Sequence, residues 1–148
     1  MQQFETGISF EMQVKSDQSV PDGQIRQNSF NIVIETKLGK NFNLEQIKNH
    51  LKSFQHEDFQ IMLTLSPYPI PAKQEKEIRA AISDENKKEG KHIKHVHTTF
   101  EQLISLISDL IEERDYEFQD ILNDYMEFCS HEELLTNRDR MMRAVTVG

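Results

Sequence analysis

The sequence predicts an α/β domain in which an antiparallel meander, a helix and a further strand build one mixed sheet flanked by helices. Three short strand-like segments open the chain, an amphipathic stripe at helical spacing follows, and helical and strand-like segments then alternate. At 148 residues the chain is long enough for one core and short for two. We therefore expect a single domain over residues 1–148, with its core over 8–97 and a helical part over 98–135.

The predicted meander consists of Ile8 to Lys15, Ser19 to Ile25 and Phe30 to Lys37. The third segment is rich in β-branched residues and free of Gly and Pro, which is typical of a buried strand. Within the second segment, Asp22-Gly23 favours a bend or bulge. This bend could bring the Asp22 carboxylate beside the end of the third strand.

A helix is predicted from Leu44 to Phe54, because Asn43 offers an N-cap and apolar residues follow at helical spacing. Gln60 to Leu65 alternates like a strand, and the three prolines between residues 67 and 71 then enforce an extended loop. The remaining predicted elements are a helix from Ala72 to about Lys88 that Gly90 ends, a strand from Ile93 to His97, a helix capped by Thr98 or Thr99, and a helix from about Tyr116 to Phe128.

The chemically most informative residues are Asp22, Glu35 and Lys37. Alternate side chains of a strand point to opposite faces, so Glu35 and Lys37 share a face while Thr36 takes the other. Two carboxylates can hold Mg²⁺ together with waters and phosphate oxygens. A lysine nearby can orient or deprotonate the attacking water and add positive charge. The trio therefore suits hydrolysis of phosphodiester bonds.

Pro21-Asp22, the intervening strand and Glu35-Thr36-Lys37 resemble the signature of the PD-(D/E)xK nuclease superfamily, which has the restriction-endonuclease-like fold. The resemblance extends from Phe10 through Leu65. It implies that Asp22 and Glu35 bind Mg²⁺ or Mn²⁺ and that Lys37 is the catalytic lysine. Gln46 matches a glutamine that some branches place near the site, although helix capping also accounts for it.

Two further Glu-x-Lys patterns, at Glu85 and Glu89, lie in a polar stretch and are interpreted as a solvated helix end and its exit loop. The superfamily core usually begins with a helix, and residues 1–7 are too short for one. We therefore expect that segments of a larger protein, a partner chain, Glu5 or Glu11 supply any further acid. The apolar run from Met141 to Val147 resembles a strand with no partner.

The formal net charge of −8 opposes nucleic-acid binding overall, but the acidity is concentrated after residue 100. The middle of the chain is basic, so one of its faces could follow a nucleic-acid backbone, or simply be solvated. Tyr68, between two prolines, could stack on a base, although packing or exposure is the commoner role of such a residue. The basic residues of this segment are Lys73, Lys76, Arg79, Lys87, Lys88, Lys91 and Lys94.

Neither the histidines nor the single cysteine predicts a second reactive site. His95 and His97 share a strand face that His92 does not, so structural or solvent-facing roles are favoured over a zinc site. Cys129 is expected to be a small packed residue. Because it is the single cysteine of the chain, it fits a reducing compartment.

The sequence therefore predicts a metal-dependent nuclease, endonuclease or exonuclease, with DNA as the expected substrate and prokaryotic defence or DNA repair as typical settings. The alternative is a catalytically inactive module of the same fold that binds nucleic acid or protein, with a homodimer as one possible assembly. No segment is apolar enough to span a membrane and no signal peptide is evident, so a cytoplasmic location is expected.

Overall fold

After a short first strand at Gln2–Gln3, which was not predicted, the strands and helices follow one another in the predicted order. The computed structural model describes residues 2–3, 9–12, 20–111 and 115–132. The strands are β1 (Gln2–Gln3), β2 (Ser9–Met12), β3 (Gly23–Gln27), β4 (Phe30–Thr36), β5 (Phe59–Ser66) and β6 (Ile93–Thr99). The helices are α1 (Leu44–Leu51), α2 (Ala72–Glu89), α3 (Phe100–Leu110) and α4 (Tyr116–His131).

The strands form one mixed sheet in the order β1-β2-β3-β4-β5-β6. The first four strands pair antiparallel, and β5 and β6 are each parallel to the strand before them. Parallel neighbours need a crossover, and α1 and α2 supply the two crossovers. The predicted meander, helix and following strand are thus confirmed as a mixed α/β arrangement, and the structure adds that this strand is parallel to β4.

One face of the sheet is covered by α1 and α2. Alternation along the strands directs Val33, Met62 and Ile93 toward these helices, where burial of apolar surface stabilises the fold. The residues that complete this core are Phe42, Ile47, Leu51, Phe54, Ile78, Ala81 and Ile82.

The opposite face meets α3 and α4 near the end of β5. Leu65 packs there with Phe100, Ile104, Leu122 and Met126. Cys129 is part of this second cluster, and burial raises the pKa of its thiol despite a hydrogen bond with Tyr125. A thiol in that environment is a poor nucleophile, which agrees with the packed role expected for it.

Several boundaries differ from the predicted ones by a few residues. β3 begins at Gly23 rather than near Ser19, because Pro21 has no N–H for the ladder. α1 ends at Leu51, three residues before Phe54, which is buried just after the helix. Gly90 ends α2 in the left-handed conformation at φ 64°. Residues 8 and 13–15 of the first predicted strand lie outside the described residues, as does the run 141–147.

Two smaller predictions concern the last two helices, and a third concerns membrane spans. Thr99, rather than Thr98, caps α3, and its side chain accepts from the backbone N–H of Gln102 in a capping box. α4 extends to His131, past the predicted end at Phe128. Within the described residues, none of the helices is long and apolar enough to cross a bilayer.

Candidate functional site at the carboxyl end of the strands

Asp22 lies at the bend where the chain enters β3, next to the end of β4. In the β3–β4 ladder Gly23 pairs with Ile34, so one residue further along this register Asp22 falls opposite Glu35. The Asp22 carboxylate accepts two hydrogen bonds at Oδ2, from the backbone N of Thr36 at 2.7 Å and from its hydroxyl at 2.5 Å. The sequence-predicted acids therefore lie on neighbouring segments of backbone.

Glu35 is buried on the face of β4 that α1 covers, together with Asn31 and Val33. Burying a carboxylate is costly unless a partner compensates, and His50 of α1 is that partner. Nε2 of His50 lies 2.8 Å from Oε2 of Glu35, and the His50 side chain is fully buried. Because an ionised carboxylate only accepts, Nε2 of His50 carries the proton in this contact.

Lys37 follows β4 directly and its side chain is exposed. Its backbone N donates to the carbonyl of Leu65 at 2.9 Å, so the pairing with β5 continues one residue past β4. This bond anchors the Lys37 backbone at the carboxyl end of the sheet, where ligands bind in many α/β proteins.

Asp22 and Glu35 carry carboxylate oxygens, the ligand type that Mg²⁺ prefers, but Asp22 accepts from the hydroxyl of Thr36, whose side chain lies on the face of β4 opposite Glu35. Only one oxygen of each carboxylate is engaged, Oδ2 of Asp22 and Oε2 of Glu35. Within the described residues no hydrogen bond reaches the other oxygen of either carboxylate. Mg²⁺ uses one or two carboxylates and completes its shell with water and substrate oxygens.

Gln46, the fourth predicted site residue, lies in the first turn of α1. Asn43 caps this helix, and its Oδ1 accepts from the backbone N–H groups of Glu45 and Gln46 at 3.0 and 3.2 Å. Gln46 is one helical turn before His50 and so lies on the same side of α1. Within the described residues no hydrogen bond joins its side chain to Asp22, Glu35 or Lys37, and capping of α1 remains a sufficient reason for its position.

A row of polar side chains extends from Glu35 across the two parallel strands. Glu35 pairs in register with Thr64 of β5, and Thr64 pairs with His97 of β6. Neighbouring strands are about 4.8 Å apart, so the row covers roughly 10 Å at the level of the backbone. The hydroxyl of Thr64 contacts Nδ1 of His97 at 2.9 Å and Nε2 of His95 at 2.8 Å.

The protonation of the two rings follows from their partners. Nε2 of His97 lies 2.9 Å from the carbonyl oxygen of Tyr68, which only accepts, so this nitrogen donates. Nδ1 of a neutral His97 then accepts the Thr64 hydroxyl proton, and the Thr64 oxygen accepts from Nε2 of His95. Burial, chiefly, lowers the pKa of His95 from 6.5 to about 4, so His95 is neutral at neutral pH.

These histidines have structural roles in the described residues, as the sequence indicated. His92 lies outside the row, and its ring donates to the carbonyl of Asp58 at 2.6 Å. In the described ranges, no group of three or more His, Cys, Asp and Glu side chains is placed to hold a metal ion. A cation at the site would thus depend on the two acids and on ligands from substrate and water.

A second buried polar cluster lies at the opposite end of β4. Nδ2 of Asn31 donates to Oε1 of Glu57 at 3.0 Å, and Nε2 of Gln60 donates to Oε2 at 3.0 Å. The backbone N of Gln55 donates to Oε2 as well, at 2.8 Å. Burial acts to raise the pKa of Glu57, but these bonds and backbone contacts outweigh it and keep the pKa below 4.5. Glu57 is fully engaged and therefore structural.

The basic middle segment is divided by the fold. Lys91 is almost completely buried and donates to Oε1 of Glu85 at 2.8 Å and to the carbonyl of Leu51 at 3.1 Å. Arg79 pairs with Glu75 one turn earlier on α2 at 2.8 Å. The exposed lysines of the segment are Lys73, Lys76, Lys87, Lys88 and Lys94. Lys91 is thereby excluded from the predicted nucleic-acid face, because its ammonium already has two partners.

Sequence reasoning missed His50, Thr64 and Glu57 as partners of the polar residues. His50 follows Ile47 by three residues and precedes Leu51, so the helical spacing could have predicted its place in the buried stripe of α1. The contact with Glu35, in contrast, depends on how α1 docks against β4. No protein-family model matches this chain, and neither a curated protein nor a solved structure was found to match it.

Proposed function

We propose that this chain is a metal-dependent nuclease domain with a restriction-endonuclease-like fold, and that it hydrolyses phosphodiester bonds of DNA with Mg²⁺ or Mn²⁺. The observation that supports the proposal is the β3–β4 register, which ends at Gly23 and Ile34 and so brings the backbone of Asp22 next to that of Glu35. Lys37 then follows Glu35 by two residues at the same end of the sheet. These positions of Asp22, Glu35 and Lys37 agree with the place that the Pro-Asp and Glu-Thr-Lys motif is expected to take in a pair of strands.

The order of the elements supports the proposed fold. An antiparallel meander of β2, β3 and β4 is followed by α1 and by β5, which is parallel to β4. This is the arrangement expected for a restriction-endonuclease-like sheet. A chance Glu-x-Lys on a helix or surface loop would lack this context, as the copies at Glu85 and Glu89 do.

In the proposed site Asp22 and Glu35 would hold the cation, each through a carboxylate oxygen. A bound Mg²⁺ would acidify a water and neutralise charge on the phosphate. The exposed ammonium of Lys37 would orient the attacking water and stabilise the developing negative charge. His50 and Thr36 are positioning residues, since each donates a hydrogen bond to one acid and restricts how its carboxylate can turn.

The competing function is a catalytically silent module that keeps the fold and binds nucleic acid or protein. Mn²⁺ titration, followed by calorimetry, separates the two classes. The nuclease proposal predicts Mn²⁺ binding that Asp22→Ala and Glu35→Ala each remove, while Asp84→Ala on the exposed side of α2 leaves it unchanged. Mn²⁺-dependent release of labelled DNA fragments should be lost in the same two variants. Equal metal binding in all four proteins would contradict the proposal.

A further inference from the structure

Two loops lie at the carboxyl end of the parallel strands, and we call them the rim loops. The first, residues 37–43, follows β4 and begins with Lys37; the second, residues 67–71, follows β5. They meet where Nζ of Lys40 lies over the ring of Tyr68, 5.4 Å from its centroid. Lys40 is exposed and Tyr68 is half-buried. A cation and an aromatic ring are thus paired beside the proposed catalytic lysine.

The backbone of Tyr68 is held by several contacts. Its carbonyl accepts from Nε2 of His97 at 2.9 Å and from the hydroxyl of Ser66 at 2.8 Å. Its N–H donates back to the oxygen of Ser66 at 3.3 Å. Pro67 and Pro69 flank it and fix their own φ angles. The ring is therefore presented from a stiff segment, and a ligand that stacks on it would cost little ordering entropy.

His97 connects the two rim loops to the site. Its ring lies 6.0 Å from that of Phe42, edge to face, and Phe42 belongs to the first rim loop. The same ring contacts Thr64, which is paired in register with Glu35. The positions of Tyr68 and Glu35 are thus set by neighbouring residues of one sheet, which keeps the rim at a constant distance from the proposed site.

We infer that Lys40 and Tyr68 bind an unpaired nucleotide next to the scissile phosphate, so that the substrate class is single-stranded DNA or DNA with an unpaired end. An aromatic ring offers a stacking face to any unpaired base, whereas bases inside a duplex have no face available. The exposed Lys40 ammonium, which lies over the ring in this structure, would then contact the neighbouring phosphate. This inference rests on the proposed nuclease function and names its substrate.

Fluorescence anisotropy in EDTA tests this inference without cleavage, with labelled oligothymidine and a labelled blunt duplex as probes. Tyr68→Ala should weaken oligothymidine binding about tenfold and change duplex binding little, because one stacked base is lost. Tyr68→Phe keeps the ring and should bind like the unmodified protein. Lys40→Ala should weaken both probes and reduce the salt dependence by about one phosphate contact.

The matched controls are Tyr116→Ala, at an exposed tyrosine of α4, and Lys52→Ala, at the exposed end of α1. Thermal melting identifies any variant that fails to fold, and if Tyr68→Ala does not fold, Tyr68→Leu removes the aromatic face while keeping an apolar side chain. The inference is overturned if the unmodified protein does not bind oligothymidine, or if removing the ring leaves its affinity unchanged. Cleavage that needs Asp22 with no dependence on Tyr68 would overturn the inference and leave the nuclease proposal standing. Tyr68-dependent binding without metal-dependent cleavage would overturn the nuclease proposal and leave the binding of an unpaired nucleotide standing.

Discussion

Glu35 and His50 form a buried contact in which Nε2 of His50 lies 2.8 Å from Oε2 of Glu35, at the interface between β4 and α1. The contact leaves the second carboxylate oxygen of Glu35 without a hydrogen bond from any described residue. One oxygen of this buried carboxylate is thus held in place by His50. In the proposed site this contact would fix the orientation of Glu35 before a cation binds.

His50→Ala should destabilise the fold by about 3 kcal/mol, because it leaves the Glu35 carboxylate buried without its partner. Urea denaturation measures the change, with His56→Ala, at an exposed position after α1, as the control. In the double variant Glu35→Gln and His50→Ala the two losses should not add, since the same contact is removed twice. A cost for His50→Ala no larger than that for His56→Ala would show that the contact contributes nothing.

Asp22→Asn and Thr36→Val should separate the chemical role of Asp22 from its structural one. Both remove or weaken the contact between these side chains and should each cost about 1 kcal/mol of stability. Only Asp22→Asn removes a carboxylate from the proposed cation site, so it should abolish cleavage while Thr36→Val retains it. Cleavage rates measured at saturating Mg²⁺ test this. Equal loss of activity in both variants would mean that Asp22 acts through its contact with the Thr36 hydroxyl and not as a cation ligand.

Stability should fall as the pH is lowered from about 7 toward about 4, because the folded state resists protonation of His95. The pKa of this ring is lowered from 6.5 to about 4, so the unfolded chain binds more protons between these values. The effect is on the order of 2 kcal/mol across the window. Urea midpoints measured at pH 7 and at pH 5 capture most of this change in stability. Both pH values lie above the range in which Glu57 titrates.

The matched variant for the pH prediction is His95→Gln, which keeps a donor for Thr64 and has no titration in this range. Its stability should depend less on pH between 7 and 5 than that of the unmodified protein. The same slope in both proteins would assign the pH dependence to another group, and the pKa direction of His95 would then be wrong.

Glu57→Ala should be among the most destabilising single substitutions, at about 3 kcal/mol, since it leaves the donors of Asn31, Gln55 and Gln60 buried without their acceptor. Glu57→Gln keeps one acceptor oxygen and should cost less. Asp58→Ala, at the exposed neighbouring residue, is the control in thermal denaturation. A small effect of Glu57→Ala would indicate that water replaces the carboxylate.

The parts of the fold that local pattern dictates were predictable. Alternation along Phe30–Thr36 placed Glu35 and Thr36 on opposite faces, and the structure has that arrangement; that the face of Glu35 is the one α1 covers was not predicted. Asn43 and Gly90 also mark helix ends where the sequence indicated them. These features depend on a few consecutive residues, so the local sequence is enough to predict them.

The contacts between elements were not predictable in the same way. The pairing of Glu35 with His50 depends on the position of α1 over β4, and the Thr64 contacts depend on the register of β5 with β6. A shift of one residue in that register would turn His97 to the other face. The opposition of Asp22 and Glu35 was inferred from the motif, and its structural basis is visible only in the ladder.

Metal-dependent cleavage is the measurement that tests the central claim most directly. Labelled single-stranded and duplex DNA and RNA are incubated with the protein in Mg²⁺, Mn²⁺ or EDTA, beside Asp22→Ala, Lys37→Ala and the exposed controls Asp84→Ala and Lys87→Ala. We predict fragments of DNA with either metal, none with EDTA, and loss of cleavage only in the Asp22 and Lys37 variants. Fragments that persist in EDTA or in both site variants, or a folded protein that cleaves no substrate with either metal, would contradict a nuclease built on Asp22, Glu35 and Lys37.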